Sequence, residues 1–113
     1  MLAADQIAAL KTLYPVISAA EEGQVTFLRI ENLVLPDGAN PQTVTGLLCP
    51  VLRDGYQSRL FLSAKVAHLG KGVNWNADGV LLLGERWWAV SWQTKPGQTL
   101  IEMVMDHLQA FRQ

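Results

Sequence analysis

Residues Ser63–Leu83 read SAKVAHLGKGVNWNADGVLLL, and the fold turns on how this stretch is read. It starts on the end of an apolar run, passes a histidine, three glycines and two asparagines, and closes on an apolar tail. That is the layout of a catalytic loop feeding a nucleophile, yet Val80-Leu81-Leu82-Leu83 supplies none. Gly70, Gly72 and Gly79 match neither GxGxxG after a strand nor GxxxxGK[ST]. They read as residues allowing positive φ in a tight loop over 69–79, not as a phosphate cradle.

Outward from this loop the pattern changes twice. Before it, SRLFLSAKV (58–66) reads as a strand, preceded by the turn Arg53-Asp54-Gly55. TVTGLLC (43–49) and QVTFLRIENLVL (24–35) read as two more, joined by the turn PDGANP (36–41), with a break in alternation near Glu31-Asn32 that suggests a bulge. Residues 2–14 read as a helix: Ile7, Leu10, Tyr14 and Ile17 recur at helical spacing, and Pro15 ends or kinks it. Glu21-Glu22-Gly23 reads as the exit loop. After the loop, 80–83 is a short apolar segment and RWWAVSWQT (86–94) reads as a strand. Thr99-Leu100-Ile101-Glu102 matches a capping box, and Ile101, Val104, Leu108 and Phe111 then share one helical face. The expected class is α+β: N-terminal helix, antiparallel strand meander, long irregular loop and C-terminal helix, in one domain over 1–113.

Composition narrows the function classes. Half of the 113 residues are apolar and 17% are charged, enough to bury one core. Net charge is −1 and basic residues do not cluster, which argues against nucleic acid and an anionic membrane surface as partners. No apolar run approaches the ~20 residues of a membrane span. MLAADQIAAL lacks the charged and apolar regions of a secretion signal, so a cytoplasmic location is expected.

Chemistry-bearing residues are few. The single cysteine, Cys49, lies between Leu48 and Pro50, which offer a thiolate no support, so it reads as core, with a cysteine enzyme as the rival reading. His68 and His107 form no metal-ligand spacing, and neither a metal nor a cofactor is expected. All four tryptophans fall between positions 75 and 92. In a strand, Trp88 and Trp92 share one face and Trp87 takes the other, so one side is core and the opposite side is either exposed aromatic surface for a partner or packed under loops or helices like the rest. A homodimer formed by pairing of this tryptophan strand is a further reading.

From Pro50 onward the chain resembles the ubiquitin-conjugating enzyme fold. The family landmarks are a proline, a tyrosine a few residues on, a strand, a His-Pro-Asn tripeptide, and about ten residues later a glycine, an apolar residue and the catalytic cysteine. Pro50 and Tyr56 resemble the first pair, although Gln57 replaces the proline that would follow. His68-Leu69-Gly70 falls at His-Pro-Asn, and Asp78-Gly79-Val80-Leu81-Leu82-Leu83 at the catalytic segment. The resemblance puts Leu82 at the cysteine position and Gly70 at that of the oxyanion-stabilising asparagine. Leucine forms no thioester and glycine offers no side-chain donor. The resemblance therefore implies a non-catalytic adaptor in a bacterial ubiquitin-like modification system, binding a ubiquitin-like protein or its activating enzyme. The expected contact surface is His68, Trp75, Trp87, Trp88 and Trp92.

Overall fold

Helix α1 covers Ala4–Leu13 in the computed structural model, which describes residues 3–68 and 74–112. Pro15 stops the helix as its spacing predicts. Tyr14 is already extended, as the residue before a proline tends to be. Ile17, which continues the apolar spacing of the helix, opens strand β1 (Ile17–Glu22), which takes in Glu21 and Glu22 of the expected exit loop. β1 pairs with β2 (Val25–Val34), Ile17 opposite Ile30. The two-residue β3 (Ala39–Asn40) leads to β4 (Thr43–Cys49). Then come β5 (Arg59–Leu62), the two-residue β6 (Ala67–His68), β7 (Trp75–Leu82) and β8 (Glu85–Val90). Helix α2 (Leu100–Leu108) and a 3₁₀ turn (Gln109–Arg112) close the described chain.

The main sheet has six antiparallel strands in the order β1-β2-β4-β5-β8-β7. The α+β order of helix, antiparallel sheet and helix stands as read. The break near Glu31-Asn32 is a register shift between Ile30 and Leu33, with Asn32 at φ 55°. β5 is shorter than 58–66, and β8 ends at Val90, short of Trp92.

Half of the expected irregular loop is strand. Residues 69–73 lie outside the described residues, but β7 begins at Trp75. Asn76, Asp78 and Gly79 are poor strand formers, and side-chain bonds offset this. Trp88 Nε1 donates to Asp78 Oδ1 at 2.8 Å, Lys65 Nζ to Asp78 Oδ2 at 3.0 Å, and Arg86 to the Gly79 carbonyl at 3.1 Å. The register shifts between Asp78 and Val80, where Gly79 takes φ 76° under the Trp88 ring. Such a bulge needs a residue with no Cβ penalty at positive φ.

Both faces of the sheet are buried. On one, Leu28, Ile30, Leu48, Leu60 and Leu62 meet Leu10 of α1 and Val104 and Leu108 of α2. On the other, Phe27, Leu47, Cys49, Phe61, Ala89 and Trp87 pack with one another. No described helix covers this second set; the sheet curls until its end hairpins meet. The Leu83 N–H donates to Glu22 Oε1 at 3.1 Å, and Arg29 of β2 pairs with Glu85 of β8. Curling takes side chains each worth ~1.5–3 kcal/mol of burial out of water.

β8 lies between β5 and β7, so the tryptophan strand has no free edge to pair with a second copy.

The capping box at α2 is formed: Thr99 Oγ1 accepts from Glu102 N at 3.2 Å, and Glu102 Oε1 from Thr99 N at 2.8 Å. Gln6 Oε1 of α1 accepts from the Leu100 N–H at 3.2 Å, satisfying another free donor of the first turn and tying the two helices.

Candidate functional site

The connection from β4 to β5 builds a surface recess. Arg53 and Tyr56 exchange backbone hydrogen bonds of 2.9 Å around Asp54-Gly55, whose φ angles of 53° and 85° make a tight reversal. Arg59 then enters β5 opposite Cys49 and points to the second face of the sheet. Across the recess stand Asn76, Ala77 and Val80 of β7, and the cavity is about 210 Å³.

Arg59 is only 3% exposed, yet no described carboxylate forms an ion pair with it. Its guanidinium carbon lies over the Tyr56 ring at 4.3 Å and over the Phe61 ring at 5.5 Å. Such stacking suits arginine, whose delocalised charge is weakly hydrated. Arg59 Nη2 donates to Asn76 Oδ1 at 2.6 Å, and Asn76 Nδ2 donates to Tyr56 Oη at 2.9 Å. That leaves the phenol hydrogen for Ser91 Oγ, 2.6 Å away. Burial lowers the Arg59 pKa below its ordinary value, but an arginine remains charged at neutral pH.

Arg53 supplies a second cation. Its guanidinium carbon sits 5.9 Å from the Phe27 ring centroid. Its Nε is buried with no hydrogen-bond partner, 3.8 Å from Asp54 Oδ2. The Asp54 side chain is 74% exposed, so solvent screens its pull on both arginines. The recess carries two positive charges and one negative, with Phe61, Ala77 and Val80 as its apolar wall.

The sequence-predicted contact residues lie elsewhere. Trp87 is 1% exposed, donates from Nε1 to the Leu82 carbonyl at 3.0 Å and has the Arg29 guanidinium over its ring at 5.7 Å. Trp88 is half-buried on the opposite face. Trp75 is half-buried against the helical core, its ring 6.3 Å from that of Phe111. Trp92 is half-buried there too, donating to Asp106 Oδ1 at 3.0 Å. Of residues 86–90, Trp87 and Ala89 pack in the second core and Val90 in the helical one, while Trp88 keeps part of its surface exposed. His68 pairs its backbone with Ala39 in the β3–β6 ribbon; its side chain, like Gly70, lies outside what is described. Leu82 is 4% exposed and packs in the second core.

Cys49 is fully buried, and burial pushes its thiol up, against the smaller pulls of the Val51 carbonyl, Arg53 and Arg59. A nucleophilic cysteine needs the opposite. Native protein is expected to resist iodoacetamide at neutral pH and to be alkylated at Cys49 once unfolded in urea. Mass spectrometry of both states checks this, and rapid native alkylation would restore the cysteine-enzyme reading.

His107 is also buried. Ser58 Oγ lies 2.9 Å from its Nε2 and 2.6 Å from Thr94 Oγ1. With Ser58 1% and Thr94 4% exposed, this trio joins α2 to the residue before β5 inside the protein. Among the described residues no three His, Cys, Asp or Glu side chains gather as a metal site, and no helix is long and apolar enough to cross a membrane.

Compared with protein-family models, curated proteins and solved structures, the chain matches none.

Proposed function

We propose that this chain is a non-catalytic binding domain of the ubiquitin-conjugating-like type, engaging a ubiquitin-like protein or its activating enzyme in a bacterial modification system. The observation that carries the reading is the recess between the β4–β5 turn and β7. It holds two arginines, one stacked over aromatic rings, beside Asp54, Tyr56 and Asn76 and an apolar wall of Phe61, Ala77 and Val80. The two residues before Arg53, Val51 and Leu52, are 45% and 65% exposed. Exposed apolar residues beside a preorganised arginine suit a macromolecular partner, since arginine and apolar anchors dominate interface energetics. The family resemblance around Pro50 and Tyr56 falls on this same connection and supplies the partner class.

The test mixes purified chain with the ubiquitin-like protein and the activating enzyme of its host, followed by analytical ultracentrifugation. Wild type is expected to form a complex with one of them, and Leu52→Asp to weaken it about tenfold. Absence of any complex at high micromolar concentration removes the reading.

A further inference from the structure

The geometry points to a ligand for the recess: a single carboxylate carried on a small apolar body, held by Arg59 and Arg53. This rests on the binding-domain reading above and names the group such a partner would insert.

Charge sets the class. Arg53 and Arg59 bring two positive charges and Asp54 one negative, so the recess carries a net +1. A carboxylate neutralises that with one negative charge, whereas a phosphate near its second ionisation would overshoot and meet Asp54. Shape agrees: a guanidinium is a planar donor fork that matches a carboxylate's two oxygens. Arg59 spends one donor, Nη2, on Asn76. The same bond and the Tyr56 and Phe61 rings fix the plane of the fork before any ligand arrives, so little rotamer entropy remains to be lost. Arg53 Nε is a buried donor without a hydrogen bond, the Asp54 carboxylate standing 3.8 Å away. Groups of that kind carry a desolvation penalty that an incoming oxygen would relieve. Phe61, Ala77 and Val80 form the apolar side. They accept a hydrocarbon body and disfavour a fully hydrated anion.

A carboxylate could come from an acidic side chain, a chain end or a free small acid. The experiment separates these. Titrations followed by side-chain NMR signals of Arg59 and Asn76 use butyrate, its uncharged isostere butyramide and inorganic phosphate. Butyrate is expected to shift both signals saturably, with butyramide and phosphate at least tenfold weaker. Two peptides follow, one ending in a free carboxylate with no acidic side chain, the other amidated at its end with an internal glutamate; whichever binds more tightly than butyrate names the source, and neither doing so assigns the site to a free acid. Arg53→Gln is expected to weaken butyrate about fivefold and Arg59→Gln more than tenfold. Because Arg59 is buried, the wild-type comparison of butyrate with butyramide stands even if that variant does not fold. Equal response to butyrate and butyramide, or tighter binding of phosphate, overturns the inference. Butyrate binding without complex formation with the conjugation proteins would keep the carboxylate site and remove the partner reading; a complex unaffected by Arg53→Gln, with no butyrate binding, would do the reverse.

Discussion

Trp87→Ala is expected to destabilise the protein by about 3–5 kcal/mol, the range for emptying a large buried aromatic site. The side chain is 1% exposed and fills the second core beside Phe61 and Ala89. The substitution removes its volume, frees the Leu82 carbonyl from its 3.0 Å hydrogen bond and takes the ring from beneath Arg29. A domain of this size has about 5–15 kcal/mol in total, so the loss is a large share of it. Urea unfolding at constant protein concentration checks the value. Trp88→Ala should cost less, since that ring is half-buried, and equal losses would contradict the two-sided core. Loss of partner binding in Trp87→Ala would therefore report unfolding rather than a missing contact.

Acidification is expected to remove about 3 kcal/mol of stability between pH 6.5 and about 4, most of it through His107. Burial pushes this imidazole down to about 4 from its ordinary 6.5; Arg59 and Asp106 act in opposite directions on it, and Ser58 bonds it. The folded state keeps it neutral while the unfolded chain takes up a proton below about 6.5. Stability is thus full above that pH, falls through the window and stops falling from this source once the folded state protonates too. A difference of about 2.5 units corresponds to roughly 3 kcal/mol. Glu31 and Glu102, whose carboxyls are held below the usual range mainly by Arg29 and by the Thr99 N–H, add their own losses at lower pH. Unfolding free energies of wild type and His107→Gln between pH 7 and 4 check this. The variant should show a much flatter profile, and parallel profiles would sink the assignment.

Elements whose local chemistry agreed with their final environment were legible in the sequence. The capping box at Thr99–Glu102 is a local device and forms as read. So is the strand 43–49, bounded by PDGANP and Pro50. β1 was hidden because Ile17 continues the helical spacing of Ile7, Leu10 and Tyr14. Its half-buried positions, Ile17 and Ala20, are three apart and lack the alternation of a strand. β7 was hidden because Asn76, Asp78 and Gly79 suggest a loop, and the partners that hold them straight, Lys65, Arg86 and Trp88, are distant in sequence. The recess was invisible for the same reason. Arg53, Tyr56 and Arg59 come from one connection and the strand it enters, but Asn76 of β7 and Ser91, just past β8, complete the set. The available signal was Arg59 itself, a charge at an inward position of the apolar run RLFL.

β4 and β5 lie at the centre of a sheet with a core on each side: Gly46–Cys49 and all of Arg59–Leu62 are buried. β1, at one rim, has four of six residues exposed, and β7, at the other, is interrupted by two register shifts. Opening free energies are expected to follow this gradient, with rim amides exchanging through local fraying and those of β4 and β5 only when most of the sheet comes apart. Arg59 is rooted in the central β5 and Asn76 in the rim strand β7, so the two walls of the recess belong to regions of different expected opening free energy. The backbone amide of Asn76 is therefore expected to exchange faster than that of Arg59.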